Sequence, residues 1–231
     1  MTETAAGDRR LRMDMHLHTH RSFDCLSRPE EILEAARERG VDRLVVTDHD
    51  LIDGALELRE MDPVRVIVGE EVRTAEDFDL IGILLTELIP SGTPAREACE
   101  MIHAQGGVTY IPHPFDLARS GAGPYLEEIG DLVDVVEIHN ARCWLPAFDR
   151  RARDWAERHG KLIGAGSDAH APREIGRGLM EVPEFEPTRE GLLAALAAGA
   201  PVDCVRSSPL VRATSTWAKL HKRFSRTPTT R

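Results

Sequence analysis

Short apolar runs rich in β-branched residues alternate along most of the chain with longer segments whose apolar residues recur at helical spacing. The short runs predict strands at 11–17, 43–46, 64–69, 79–85, 108–111, 132–138 and 161–166. The amphipathic segments predict helices at 29–39, around 53–60, and at 94–105, 146–159 and 189–198. Gly40 suits the end of the first helix and Thr188 suits the N-cap of the last one.

The alternation of about seven strands with helices predicts parallel β-α units, which can form an open doubly wound sheet or a barrel. No Gly-x-Gly-x-x-Gly motif or P-loop follows a predicted strand, which removes the usual nucleotide-binding reason for an open sheet. The pattern therefore favours a β/α barrel. In such barrels the functional side chains cluster at the C-terminal ends of the strands.

Composition is that of a globular protein, with 231 residues, 42% hydrophobic and 29% charged. We expect one barrel domain over residues 1–205 and a basic tail over 206–231. The first residues contain no apolar run of the signal-peptide kind, and no segment is long and apolar enough to span a membrane. Cys25, Cys99, Cys143 and Cys204 form no Cys-x-x-Cys pair. We therefore expect a cytoplasmic protein without disulfides, in which each cysteine is a small buried hydrophobe.

The charge is distributed unevenly along the chain. The formal net charge is −10, yet the tail carries seven Lys and Arg and no acidic residue, so residues 1–205 carry −17. A body this acidic predicts that nucleic acid is an unlikely partner, because binding to it requires phosphate neutralisation. In the tail, a stripe of Leu210, Ala213, Trp217, Leu220 and Phe224 predicts a helix docked on the barrel, followed by a disordered end. Contact of this helix with nucleic acid or a membrane surface is the alternative.

Polar residues of one chemical kind follow nearly every predicted strand. His16 and His18 end the first strand on one face, about 7 Å apart. The later strand ends supply Asp48, His49, Glu70, Glu71, His113, Glu137, His139, Asp168 and His170. Imidazole and carboxylate without thiolate suit Zn, Mn or Fe. Because these groups exceed what one ion can use, we expect two or three divalent ions, which activate water and clamp phosphoryl oxygens.

Seven short motifs follow one another along the chain: H-x-H at 16–18, S-x-D at 22–24, TDHD at 47–50, GEEV at 69–72, IPHPF at 111–115, VEIHN at 136–140 and GSDAH at 166–170. In this order they resemble the motifs of the polymerase-and-histidinol-phosphatase (PHP) family. The resemblance covers residues 12–181. It implies a distorted (β/α)7 barrel that hydrolyses phosphoesters with up to three metal ions. It also implies that His16, His18, Glu71 and Asp168 hold one metal, that Glu71 and His113 hold a second, and that Asp24, His49 and His170 hold a third.

One position departs from the family pattern. Many members carry a histidine in a His-Leu-Leu-Gly segment between the residues that match Glu71 and His113, whereas this chain has Asp79-Leu80-Ile81-Gly82. We expect Asp79 to act as a carboxylate ligand of the second metal. The alternative is that it ends a strand and points away from the metals.

Other residues have less defined expected roles. Asp48 is expected to orient a ligand. His139 can be a ligand, a general acid, an orienting group or a structural residue. Arg142 and Arg177 are candidate phosphate clamps, although arginines are also common surface cations. Glu70 should point away from Glu71 if the strand continues.

The predicted activity is metal-dependent hydrolysis of a small phosphomonoester or nucleotide. One alternative is a histidinol-phosphate phosphatase, although no feature of the sequence selects that substrate. The other is a PHP module kept for binding or regulation with weak catalysis. The sequence indicates nothing about the oligomeric state.

Overall fold

The computed structural model describes residues 9–208 and 210–225, without the side chains at 212, 213, 224 and 225. The strands are β1 (Arg10–Leu17), β2 (Arg43–Val46), β3 (Val66–Arg73), β4 (Asp79–Ile83), β5 (Val108–Ile111), β6 (Val135–Asn140), β7 (Leu162–Gly166), β8 (Leu179–Pro183) and β9 (Ala200–Val202). The α-helices are α1 (Pro29–Glu38), α2 (Asp53–Met61), α3 (Ala95–Ala104), α4 (Leu126–Ile129), α5 (Pro146–Arg158), α6 (Arg189–Ala197) and α7 (Val211–Ser225).

All nine strands belong to one sheet with the order β7-β6-β5-β4-β3-β2-β1-β8-β9. The neighbours β1, β2 and β3 are parallel, as are β5, β6 and β7. The expectation of parallel units throughout is wrong at β4, which is antiparallel to both β3 and β5. Only residues 74–78 connect β3 to β4, and so short a connection makes a hairpin rather than a parallel crossover. Strands β8 and β9 were not predicted.

The sheet closes almost completely into a barrel. Asp168 donates its backbone N–H to the carbonyl of His16 at 2.7 Å, and His18 donates to the carbonyl of Ala169 at 2.9 Å. These bonds join the end of β1 to the segment after β7. The α/β barrel predicted from the alternating pattern is thereby confirmed, with a distorted rather than regular arrangement of strands.

Two clusters of buried hydrophobic residues form the core. One fills the barrel and includes Met13, Met15, Val45 and Tyr110 together with α6, which packs through Leu192, Ala195 and Leu196. The other lies between the strands and the outer helices and includes Leu17, Ile32, Leu58, Ile102 and Trp155. As predicted, Thr188 caps α6, since its hydroxyl accepts the backbone N–H of Gly191 at 3.1 Å.

A register shift near the end of β1 turns both metal-site histidines toward the barrel mouth. Met13 and Met15 face the barrel interior, so strict alternation would place Leu17 there and His16 outside. The pairing of β1 shifts between Asp14 and Leu17, and Leu17 belongs to the outer cluster instead. Such a bulge re-aims the side chains that follow it. His16 and His18 consequently share the inner face.

The final helix forms as predicted but docks through a different face. Val211, Ser215 and Ala218 of α7 are buried, whereas Trp217 is 63% and Leu220 is 46% exposed. The predicted docking stripe is therefore wrong at Leu210, Trp217 and Leu220, all of which are exposed. The side chains of Ala213 and Phe224, and the end expected to be disordered, lie outside the described residues. Within the described ranges, no helix is long and apolar enough to cross a membrane.

The cysteine expectation is confirmed at three positions. Cys25, Cys99 and Cys143 are buried, and Cys204 is exposed. Cys204 follows β9 in a segment without helix or strand, so it is not the buried hydrophobe that was expected.

Candidate metal centre

Histidine and carboxylate side chains from six segments meet at the barrel mouth. They form three groups whose potential ligand atoms lie within 4.8 Å of one another. The groups are His16, His18 and Asp168; Glu71, Asp79 and His113; and His18, His49 and His170. Asp24 joins the third group, since its Oδ2 is 3.2 Å from Nε2 of His170 and 3.7 Å from Nε2 of His49. The structure thus brings together all nine predicted metal ligands.

Glu71 lies at the centre of this cluster. Its Oε2 is 3.4 Å from Nε2 of both His16 and His18 and 3.1 Å from Nδ1 of His49. Its Oε1 is 3.3 Å from Nε2 of His113. Strand β3 runs from Val66 to Arg73, so Glu71 lies within a strand and not after one. One carboxylate therefore lies beside histidines of all three groups.

The neighbouring Glu70 points the other way, as predicted. Its Oε2 accepts the backbone N–H of Ile89 at 2.9 Å, and its Oε1 is buried with no hydrogen-bond partner. Burial raises the pKa of Glu70 to about 8.

Contacts at Nδ1 hold three of the histidine rings in a fixed orientation. Nδ1 of His16 lies 3.2 Å from Oε1 of Glu137, and Nδ1 of His18 lies 3.3 Å from the hydroxyl of Ser22. Nδ1 of His170 donates to the carbonyl of Asp168 at 2.9 Å. With Nδ1 occupied, the Nε2 atoms of all three rings remain to face a cation.

Glu137 accepts several hydrogen bonds at the barrel mouth in addition to its contact with His16. Its carboxylate also accepts the backbone N–H of His113 at 2.7 Å, the Tyr110 hydroxyl at 3.0 Å and the Asn140 amide at 2.9 Å. The sequence placed Glu137 at a strand end but assigned it no role.

Backbone geometry at the mouth is unusual. His113 and Asp168 have φ angles of 30° and 52°, in the left-handed region that residues with a Cβ seldom adopt. Each follows a parallel strand, β5 or β7. Strained residues of this kind concentrate at functional sites, where the surrounding structure holds them in place.

The electrostatics of the cluster keep carboxylates ionised and one imidazole neutral. Burial, together with His170 and His49, lowers the pKa of His18 to about 3. Burial acts against ionisation of Glu71, but His49 and His16 outweigh it and hold the pKa of Glu71 well below its usual value. Burial and the nearby Glu71 raise the pKa of Asp79 to about 6. A neutral imidazole and ionised carboxylates are the forms that bind metals.

The donor set fits divalent cations. Oδ1 of both Asp24 and Asp168, and Nδ1 of His113, are buried without a hydrogen-bond partner. Five imidazoles and four carboxylates enclose a small volume, and none of these residues is more than partly exposed. Buried carboxylates in such numbers are costly unless they are paired or coordinate metals. The cluster can hold two or three ions with nitrogen and oxygen ligands, which suits Zn, Mn or Fe.

A cavity of about 320 Å³ opens over the cluster. Glu71, Asp79 and His113 form part of its wall, and Arg119 and Lys219 add positive charge. Sequence reasoning missed Arg119, which lies in a short turn of helix after β5. Its guanidinium bonds to the carboxylate of Asp168 and donates to the Asn140 side chain at 3.1 Å. Arg119 follows the C-terminal end of strand β5, and this position in the sequence could have identified it as a residue of the barrel mouth.

The structure places His139 away from the cluster. Its Nδ1 is 3.6 Å from Asp149 of α5, and its Nε2 is buried without a partner. The register of β6 shifts between Glu137 and His139, so Asn140 rather than His139 faces the mouth. Of the roles left open for His139, this placement agrees with the structural one and not with a catalytic or ligand role.

Asp48 acts on the histidine cluster only through a neighbouring loop. Its carboxylate accepts the backbone N–H and the hydroxyl of Thr19, both at 2.6 Å. It therefore holds the start of the loop that carries Ser22, the partner of His18, rather than bonding to a histidine ring.

Both predicted phosphate clamps bond to other residues of the chain, but only Arg142 borders the cavity. The guanidinium of Arg142 is buried in a two-bond ion pair with Glu174, at 2.9 and 3.2 Å, and also binds Ser215 and Val211 of α7. Arg177 donates to the carbonyl of Arg206 at 3.4 Å, and it is not among the residues that line the cavity. Arg142 therefore stays a predicted clamp that a structural ion pair already engages, whereas Arg177 lies outside the described lining of the cavity.

Comparison with known proteins agrees with this geometry. Residues 14–165 match the profile of the PHP domain, and residues 147–201 match the PHP-associated profile. The chain therefore belongs to the PHP family. It is 32% identical over 180 residues to the uncharacterized protein MJ0417 of Methanocaldococcus jannaschii, an alignment that covers 76% of this chain and 72% of that one.

Two solved structures share the fold. One is a two-domain protein containing a predicted PHP-like metal-dependent phosphoesterase from Bacteroides vulgatus, with a TM-score of 0.67 and 18% identity over 87% of this chain and 67% of that one. The other is endonuclease Q in complex with a 27-mer duplex carrying an abasic lesion, with a TM-score of 0.60 and 18% identity over 84% of this chain and 58% of that one. The expectation that nucleic acid is an unlikely partner finds no support, since this fold occurs in a protein bound to DNA.

Proposed function

We propose that this protein is a metal-dependent phosphoesterase that hydrolyses a small phosphomonoester or nucleotide at a centre of two or three divalent ions. The observation that carries the proposal is the position of Glu71, whose two carboxylate oxygens face His16, His18 and His49 on one side and His113 on the other. A carboxylate so placed can bridge two ions.

The residues fall into three ligand sets around this bridge. His16, His18 and Asp168 would hold the first metal with Glu71, and His113 and Asp79 would hold the second. Asp24, His49 and His170 would hold the third. When bound, such ions supply hydroxide at neutral pH and Lewis acidity toward phosphoryl oxygens.

The chain itself supplies orientation and positive charge. Glu137, Ser22 and the carbonyl of Asp168 fix the tautomers of His16, His18 and His170, because each contacts Nδ1. Arg119 and Lys219 border the cavity and would bind the non-bridging oxygens of a phosphate. Asp48 keeps the Thr19 loop in place.

The test combines metal analysis with hydrolysis. The purified protein should contain at least about two transition-metal ions per chain and hydrolyse one or more members of a panel of nucleotides, sugar phosphates and histidinol phosphate. His18→Gln should lose metal and activity together. His103→Gln is the matched control, because His103 contacts Asp134 at 3.0 Å, away from the cluster.

Two results would contradict the proposal. The first is a His18→Gln variant that retains the metal content of the wild-type protein. The second is hydrolysis that continues after complete removal of metal. Metal binding without hydrolysis of any panel member would favour the alternative, a module that binds a phosphorylated ligand.

A further inference from the structure

A second, larger cavity adjoins the metal cavity. It has a volume of about 520 Å³ and lies between helix α7 and the loop that carries Arg21 and Phe23. Phe23, His49 and Lys219 contribute to the walls of both cavities. The two cavities are therefore neighbours, and a molecule with one end in the metal cavity can reach the second one past the side chains of Phe23 and Lys219.

The second cavity is positively charged. Arg21, Lys219, Lys222 and Arg223 line it, and no acidic residue is among its described lining residues. Arg21 pairs with Glu57 at 2.9 Å, and Lys219 lies 3.7 Å from Asp24. Within the described part of the chain, Arg223 has no acidic partner within ion-pair distance. This concentration of cations stands out on a chain whose net charge is −10.

The floor of the cavity is aromatic and apolar. Phe23 is 52% exposed, which is unusual for a ring this close to a polar site. The amine of Lys219 lies 4.9 Å from the centre of the Phe23 ring, and the His49 ring lies 5.0 Å from it. Leu51 adds aliphatic surface. A planar ring can stack on Phe23 while a charged group reaches the basic side chains.

We propose that this second cavity binds the leaving group of the substrate, and that this leaving group carries an aromatic ring and a second negative charge. The proposal rests on the proposed phosphoesterase activity and narrows its substrate class. A neutral sugar phosphate has neither a ring to stack on the exposed part of Phe23 nor a second charge to pair with Arg223.

The reaction itself is ordinary hydrolysis. Water adds its oxygen to phosphorus, the ester bond between phosphorus and the leaving oxygen breaks, and a proton passes to that oxygen. The ring with its second charge is then released as an alcohol or phenol.

Selectivity between two simple esters tests the proposal. The wild-type protein should hydrolyse 4-carboxyphenyl phosphate with a kcat/KM at least about tenfold above that for phenyl phosphate, since a charged hydrogen bond contributes on this scale. Arg223→Ala should reduce this ratio, and Arg223→Glu should reduce it further. Arg158→Ala, which removes an exposed arginine of α5 that contacts only the carbonyl of Asp154 in the described structure, should leave the ratio unchanged.

Binding of phosphate-free probes separates failure of this proposal from failure of the activity. By calorimetry, terephthalate should bind the purified protein more tightly than benzoate, and Arg223→Glu should abolish the difference. Equal binding of the two probes, or hydrolysis of the two esters with equal kcat/KM, would overturn the second cavity as a leaving-group site. Tighter terephthalate binding, without hydrolysis of either ester or of any member of the phosphate panel above, would uphold the cavity as a binding site and refute the phosphoesterase activity.

Discussion

Glu70 and Glu71 are adjacent on β3 but have opposite surroundings. Glu71 faces four histidines, whereas Glu70 contacts the backbone of Ile89 on the other side of the sheet. Glu71→Gln should reduce kcat/KM by about 100-fold or more, because an amide removes charge that metals require and their effect on the transition state is several kcal/mol. Glu70→Gln should change activity by less than about tenfold. Steady-state kinetics on both variants checks this, and the reverse ranking would contradict the bridging role.

The raised pKa of Glu70 predicts a pH-dependent stability. In the folded protein this carboxyl keeps its proton up to about pH 8, whereas in the unfolded chain it ionises near 4.5. Its contribution to stability is therefore fully present below pH 4.5 and is lost as the pH rises toward 8. Glu70→Gln cannot ionise. The variant should melt at an increasingly higher temperature than the wild type between these pH values, as measured by circular dichroism; a constant difference would exclude this explanation.

Asp79 lies where a carboxylate changes the character of the second metal site. It shares a group with Glu71 and His113, and its Oδ1 is 2.9 Å from Arg73. Imidazole suits zinc, whereas oxygen ligands suit manganese. Asp79→His should therefore raise the ratio of zinc to manganese taken up from an equimolar mixture. Asp77→His is the control, because Asp77 also pairs with Arg73 but is exposed. An equal metal ratio in both variants would place Asp79 outside the ligand set.

At the scale of elements, strands β1 and β6 show what a local sequence pattern can predict and what it cannot. Alternation along β1 and β6 correctly identified strands with polar ends. The register shifts after Asp14 and after Glu137 then decided which side chains face the mouth. His16 and His18 share the inner face, whereas His139 lies outside it. A bulge depends on pairing with neighbouring strands, so the alternation of a single strand does not reveal it.

Arg142, the cation of a buried ion pair, holds helix α7 against the barrel through hydrogen bonds to Ser215 and Val211. Arg142 and Glu174 are 7% and 0% exposed at their side chains, and Arg142 also binds Ser215 of α7. Arg142→Met should destabilise the protein by about 3–5 kcal/mol, because it leaves the buried carboxylate of Glu174 without a cationic partner and with only the backbone N–H of His170. Adding Glu174→Gln should recover part of this loss.

An exposed pair provides the control for this prediction. Arg96→Met breaks the contact between Arg96 and Asp131, which are 50% and 63% exposed. Pairs of this kind contribute at most about 1 kcal/mol. Chemical denaturation measures all three variants. If Arg142→Met costs no more than Arg96→Met, the buried pair does not anchor α7.

At the scale of the whole molecule, metal binding at the barrel mouth should stabilise the folded protein. Glu71, Asp24, Asp168 and Asp79 lie close together and largely out of contact with water. A cation that binds the folded state alone stabilises it by about 2.7 kcal/mol at 100 times its dissociation constant. Chelation should therefore lower the melting temperature, and returning Mn²⁺ or Zn²⁺ should restore it. A melting temperature that is the same with and without chelator would contradict a metal site at the mouth.

The sequence by itself determined the order of the first seven strands and of the longer helices, together with the chemical identity of the cluster, because both depend on local periodicity and on residue type at strand ends. It also distinguished Glu71 from Glu70, since alternation within an unbroken strand is a local property. Tertiary structure decided the rest. Five features depend on contacts between segments distant in the chain, which local spacing does not encode. They are the antiparallel β4, the outward His139, the ion pair of Arg142 with Glu174, the place of Arg119 beside Asp168 and the docking face of α7.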